Sequence, residues 1–338
     1  MDRIALPSFH MPFDKTGRNP AAPEAHTRMW EWVDGYGLCP TPLSRRWLLR
    51  TAPDDCMAWY YPTLDGDSLT LFSEFCAWAF IVDDEFDDGA SGRDPRACEA
   101  AVHSLLAVLH GSGPARGRLA EAAADLWDRL TPGRSASWIR TFRQDITAWL
   151  WTYYGETVDR LGRRLPAIDA FREHRRDAVG EPMFLDLCEI AARADLTDSV
   201  RFILAFRELR NAAAEQIGLY NDIWSATKER AVAYHHNSVS ILAANDPQRL
   251  QDAAHAANAM VTDCVHRMVD AVRDLPAQLQ AAGLDPGTRA AALATAEAYR
   301  VMVRGNYDYH YAVPRYTEPE DVDTQAPAHV ANLFPQRL

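Results

Sequence analysis

The stretch from Phe72 to Ser91, FSEFCAWAFIVDDEFDDGAS, runs from a markedly apolar helical pattern straight into a cluster of acids. Between Leu69 and Asp88 apolar residues recur at three and four positions, the period of a helix packed among other helices. Asp83 and Asp87 stand one turn apart and share a face, and Asp84, three before Asp87, flanks it. Carboxylates crowded in this way repel one another, so the helix end either binds cations or lies in water. Hard Mg2+ prefers oxygen ligands and often takes only one or two carboxylates, completing its shell with water and phosphate oxygens. For D-D-x-x-D alone, a metal site and a solvated helix end stopped by Gly89 stand about even.

Outward from this helix the same period persists. It predicts helices over Glu99 to Leu109, Arg118 to Leu130, Ser135 to Tyr154, Ala167 to Val179 and Met183 to Ala192. Further stretches run from Ser199 to Ser225, Gln248 to Leu275 and Thr288 to Tyr311, and a first helix forms near Arg28. Turn residues break the pattern at Gly111 to Gly117, Thr131 to Arg134, Gly162 to Pro166, Ala231 to Asn237 and Gly283 to Gly287. No alternating β-branched run with hairpin signals stands out, so the fold is read as all-α. Residues 1–25, with Pro7, Pro12, Pro20 and Pro23, read as an N-terminal arm; 26–316 as one domain; and the acidic, proline-containing 317–338 as a mobile tail.

A net charge of -12 over 338 residues argues against nucleic acid, which is held by clustered cations. An acidic chain can still bind an anion through metals. Cys39, Cys56, Cys76, Cys98, Cys188 and Cys264 are scattered without a C-x-x-C pair, which leaves no zinc or redox motif and reads as free thiols. MDRIALPSFH lacks a basic region followed by an apolar run, and no membrane-length apolar segment follows, so a soluble cytoplasmic protein is expected.

A second polar feature lies in GLYNDIWSATKERA, where Asn221, Ser225 and Glu229 fall at i, i+4 and i+8 on one helical face. A carboxamide oxygen, a hydroxyl and a carboxylate there can hold one hard cation at three points. By itself the triplet also reads as the outer face of an amphipathic helix, from which Asp222 turns away.

Together the two stretches resemble the class I terpene synthases, whose aspartate-rich motif is matched by DDEFD and whose N-D-x-x-S-x-x-x-E motif is matched by NDIWSATKE. The resemblance extends over most of the chain and implies a single-domain helical bundle with a central active-site cavity. It also implies three Mg2+ ions with diphosphate bound. Asp83 is then the bridging ligand, Asp84 and Asp87 assist or orient, and Asn221, Ser225 and Glu229 hold the third ion.

In bacterial members an arginine 46 positions before the motif's asparagine senses diphosphate, which here is Arg175, with Arg176 the alternative if a loop has shifted the count. The segment FREHRRDAVGEP resembles the family's R-R-x-x-x-G region, where a helix breaks and the carbonyl of Val179 or Gly180 faces the developing cation. Alone, paired arginines read as an exposed face. Arg315 and Tyr316 in HYAVPRYTE resemble the terminal R-Y pair that hydrogen-bonds diphosphate, and Lys228 matches a position that reaches phosphate oxygens.

Phe80, one turn before Asp83 and Asp84, is placed to face inward, and the resemblance adds Phe184, Trp224 and Tyr309 to an aromatic lining. Aromatic faces stabilise a cation by up to ~2 kcal/mol each when desolvated. Taken singly, each of these rings reads as ordinary core packing. Ala79 stands where many members carry a second aromatic, which widens the pocket.

The implied reaction is Mg2+-dependent ionisation of a linear isoprenoid diphosphate and cyclisation to a terpene hydrocarbon or alcohol, with diphosphate released. Farnesyl diphosphate is the first expectation and geranylgeranyl diphosphate the second. A chain-elongating prenyltransferase shares the fold and first motif but uses a second aspartate-rich motif, against which NDIWSATKE speaks. A helical interaction protein that had lost the chemistry would not need intact ligands at both motifs. A homodimer stays open as a partner state.

Overall fold

A computed structural model of the chain describes residues 4–231, 234, 236–244, 246–317, 330, 333 and 334. Among the described residues every regular element is helical. The α-helices are α1 Ala22–Gly35, α2 Pro42–Thr51, α3 Pro53–Tyr60, α4 Gly66–Asp87, α5 Pro95–Leu109, α6 Arg118–Leu130 and α7 Ala136–Gly162. They continue as α8 Ile168–Ala178, α9 Glu181–Ala191, α10 Asp198–Arg201, α11 Leu204–Ala231, α12 Ser238–Leu242, α13 Leu250–Ala281, α14 Pro286–Ala312 and α15 Pro314–Thr317.

Local chemistry sets many of the boundaries. Thr41 and Ser44 form a reciprocal capping box that starts α2, Asp65 accepts the Ser68 N–H at the start of α4, and Asp94 followed by Pro95 starts α5. Two differences from the sequence pattern have physical causes. The run expected from Ser199 to Ser225 is interrupted at Phe202 and Ile203, where Arg201 turns its guanidinium onto the fully buried Glu189, 2.7 Å away. The helix expected to stop at Leu275 continues through Pro276 to Ala281. Proline costs a helix one internal hydrogen bond, but Leu275 and Leu279 on either side of it are both fully buried.

The chain divides into two compact units. The first comprises residues 1–15, 135–146 and 165–307. Its core joins α11 to α13, with Leu219, Tyr220 and Ile223 against Ala254, Ala257 and Val261, where the alanines let the two helices approach closely. The N-terminal arm is tied to this core. Ala5 exchanges hydrogen bonds with Gln251 in both directions, Asn258 donates to the Ser8 carbonyl, and Phe9 meets Tyr220 edge-on at 4.6 Å.

The second unit comprises residues 16–134, 147–164 and 308–338. Here α4 packs against α1, α3 and α6, and Leu69, Phe72, Phe75, Cys76, Trp78 and Val82 are buried around it. The Trp78 indole donates to the Leu119 carbonyl at 3.0 Å, so even this polar handle is satisfied inside. Of the expected tail, Thr317 closes α15, and residues 318–329, 331, 332 and 335–338 lie outside the described ones. Among the described residues no helix is long and apolar enough to cross a membrane.

Candidate active site

In the second unit, α4 delivers Asp83, Asp84 and Asp87 to its last turn, where all three are half-buried. A helix C-terminus carries partial negative charge, which acids there make worse, and this last turn contains no basic residue. Arg160 reaches the region but gives its protons to the Asp87 and Gly92 carbonyls, at 3.2 and 2.9 Å. Burial first, then Asp83 and Glu156, push the Asp87 carboxyl well above the usual carboxylate range, with Arg160 acting in the opposite sense. Tyr153 donates its hydroxyl to Asp83 Oδ1 at 2.7 Å. Burial and the nearby Asp83 and Asp87 charges raise that phenol's pKa well above its ordinary value, so it stays a donor.

Helix α15 brings Arg315 and Tyr316 into the same unit. The Arg315 guanidinium lies 5.8 Å over the Phe80 ring and donates to Thr51 Oγ1 at 3.0 Å. Burial works against its charge, but Tyr316, Asp84, Tyr309 and Asp83 outweigh burial and leave its pKa above the ordinary arginine value. Tyr316 stacks on His310 at 4.1 Å, and the buried Tyr309 gives its hydroxyl to the Thr51 carbonyl. Phe80 is half-buried and Ala79 buried.

In the first unit, α11 presents Asn221, Ser225 and Glu229 over two turns. Arg175, at the end of α8, donates to Asn221 Oδ1 at 3.2 Å across the expected 46 positions, and its Nε reaches Asp222 Oδ1 at 3.0 Å. Asp222, fully buried, does turn from the stripe; its second oxygen accepts the Ser238 N–H at 2.9 Å. Burial raises its carboxyl pKa while Arg175 and Ser238 pull the other way. Gly218 permits this approach of helices, since a Cβ there would stand 3.1 Å from Arg175 Cγ and 3.4 Å from Val179 Cβ.

Arg176 is half-buried beside Asp177. The helix breaks at Val179 and Gly180, where Gly180 takes φ +74° and opens α9, so the expected interruption between α8 and α9 is present. Phe184 is buried on α9; Trp224, half-buried on α11, stacks with Phe9 at 6.4 Å; and Lys228 is half-buried one turn beyond.

Asn237, to which no role attaches in the sequence reading, organises the stripe. Its Nδ2 donates to Glu229 Oε2 and to the Asp222 carbonyl, both at 2.8 Å, and its Oδ1 caps α12 by accepting the Val239 N–H. An Asn immediately before the apolar S-V-S-I-L run is a capping signal that could have found it. Tyr153 had no such signal, because it lies 70 positions from Asp83.

The donor set is all oxygen, charge-rich on α4 and mostly neutral on α11, which fits hard divalent ions. Among the described residues no three His, Cys, Asp or Glu side chains converge into a metal cage of their own.

The profile of the terpene synthase family 2 C-terminal metal-binding region matches residues 74–267. The (2Z,6E)-hedycaryol synthase of Kitasatospora setae is 33% identical over 319 residues, covering 94% of each chain. The chain belongs to the bacterial class I terpene synthases. Pristinol synthase of Streptomyces pristinaespiralis is 29% identical over 89% of this terpene synthase and 82% of its own length. A solved hedycaryol synthase in complex with HEPES superposes with a TM-score of 0.81 at 32% identity, over 91% of this chain and 99% of that one. The all-α terpene synthase fold is thereby established, and with it a lyase that acts on a diphosphate. Both polar motifs and Arg175 fall inside the matched metal-binding region, whereas Arg315 and Tyr316 lie beyond it.

Proposed function

We propose that this terpene synthase ionises farnesyl diphosphate with the help of three Mg2+ ions and cyclises the resulting cation to a sesquiterpene hydrocarbon or alcohol. Farnesyl diphosphate is favoured by relatives such as the (-)-beta-caryophyllene synthase of Saccharothrix espanaensis, a (2E,6E)-farnesyl diphosphate cyclizing enzyme 26% identical over 98% of this chain. Asp83, Asp84 and Asp87 would hold two ions, and Asn221, Ser225 and Glu229 the third. Bound there, Mg2+ supplies positive charge that draws electron density into the leaving group.

The chain's own donors complete the grip. Arg175, Lys228, Arg315 and Tyr316 donate to the diphosphate oxygens, and preorganised donors of this kind act most strongly on charge that develops as the bond breaks. Arg175 rather than Arg176 is the sensor, because its guanidinium reaches Asn221. The Val179 or Gly180 carbonyl orients the cation, and Phe80, Phe184, Trp224 and Tyr309 stabilise it without offering a nucleophile. Ala79 leaves room beside Phe80.

The observation that carries this reading is the Arg175 contact with Asn221 and Asp222, which wires an anion-binding side chain to a metal-binding stripe. Incubation with ten-, fifteen-, twenty- and twenty-five-carbon diphosphates, with Mg2+ or with chelator, tests it by gas chromatography of the extract. Cyclic fifteen-carbon products and released diphosphate are expected only with Mg2+. Longer prenyl chains formed on adding isopentenyl diphosphate would instead identify an elongating prenyltransferase.

A further inference from the structure

The aspartate motif has a backing that neither the reaction nor the family comparison requires. Glu85, inside DDEFD, is only 3% exposed, at a helix end where a buried carboxylate is doubly disfavoured. Its Oε2 accepts the backbone N–H of Leu333 at 2.9 Å, a donor 248 positions away. Beside it, Phe334 is 6% exposed and lies 5.0 Å from the Phe86 ring. Val330 closes the contact at Gly89, where a Cβ would come within 3.1 Å of Val330 Cγ1.

Phe86 carries this docking inward. It stacks on Tyr153 at 4.4 Å with 13° between the planes, and Tyr153 is the residue whose hydroxyl holds Asp83 at 2.7 Å. Phe334, Phe86, Tyr153 and Asp83 thus form one continuous row in the second unit. Partners that orient a ligand carboxylate typically change metal affinity by about ten- to a hundredfold when removed.

We infer that Leu333 and Phe334 form a clasp for the aspartate motif: Phe334 and the Leu333 N–H fix Phe86 and Glu85, so that Tyr153 holds Asp83 in one orientation. Leu333, Phe334 and Tyr153 are positioning residues; Asp83 does the binding. The inference rests on the reading of Asp83 as a metal ligand.

Calorimetric titration of the full chain with Mg2+ and inorganic diphosphate tests it, together with amide exchange of the metal-free protein. Tyr153→Phe should weaken Mg2+–diphosphate binding on the order of tenfold and Phe334→Ala about threefold. Combining them should cost little more than Tyr153→Phe alone, as residues acting in series require. Phe334→Ala should also speed exchange over residues 83–89 but not over 221–229, and Phe334→Tyr, which keeps a ring, should restore both readouts. Phe334→Leu serves if the alanine variant does not fold. A folded Phe334 variant that binds like the parent, or losses that simply add, would overturn the clasp. If the parent itself binds no Mg2+–diphosphate, the ligand reading of Asp83 fails instead.

Discussion

The α4 terminus and the α11 stripe are both oxygen-rich, but their carboxylates are held in different ways. On α4 the acids are crowded at the wrong end of a helix dipole, and burial with mutual repulsion pushes Asp87 towards its neutral form. On α11 only Glu229 among the three is a carboxylate; burial and the Asp222 charge raise its pKa while Ser225, Arg175 and Asn237 pull the other way, and Asn237 and Arg175 hold the stripe by hydrogen bonds. The first region is therefore strained by its own charge, while the second is already held by hydrogen bonds.

The comparison breaks most completely if either set of ligands proves dispensable. Asp83→Ala and Asn221→Ala should each lower diphosphate release by about a thousandfold or more, with the far-ultraviolet helical signal unchanged. Next in size, Arg175→Met strips the fully buried Asp222 of its charge partner and should cost about 3 kcal/mol, read as a lower midpoint in urea. The same variant should also lose turnover, as the proposed role of Arg175 in diphosphate binding requires.

Glu215 sharpens the contrast, because on this same α11 a carboxylate is fully compensated. It accepts from Arg172 at 2.6 Å and from Arg267 at 2.9 Å. Burial alone would raise its pKa, but the two guanidinium hydrogen bonds win and leave it below the ordinary value. A depressed folded pKa contributes stability above the unfolded pKa of about 4.3 and loses it as pH falls through the folded value. Glu215→Gln should therefore lower stability at neutral pH by about 2 kcal/mol and flatten the loss of thermal midpoint on acidification. Equal slopes for both proteins would count against this.

Asn237→Ala should cost about 1 to 2 kcal/mol through the lost α12 cap and the unpaired Glu229 oxygen, and should weaken Mg2+–diphosphate binding with it. The smallest effect belongs to Arg176→Ala, expected to leave both stability within ~0.5 kcal/mol and turnover within about twofold. A large loss of turnover there would move the sensor by one residue.

The helical period alone located most of the long helices because each buries a continuous face, and α6 matches its expected limits of Arg118 and Leu130. It missed α2 and α3, which are short and begin at prolines, where too few turns exist for a period to show. It also misjudged Pro276, whose cost is met by the burial of Leu275 and Leu279 on the same helix, a tertiary term no local pattern contains.

The same division holds for the candidate site. Spacing of three, four and eight residues determines which side chains share a helical face, so Asp83, Asp84, Asp87, Asn221, Ser225 and Glu229 were legible without coordinates. Tyr153 on Asp83, Asn237 on Glu229, Phe334 on Phe86, and the Arg175 contact with Asn221 were decided only by tertiary structure. The reason is physical. A repeat along one helix is a property of local backbone geometry, whereas the partner that orients a carboxylate is set by how distant helices pack, and that packing leaves no period in the chain.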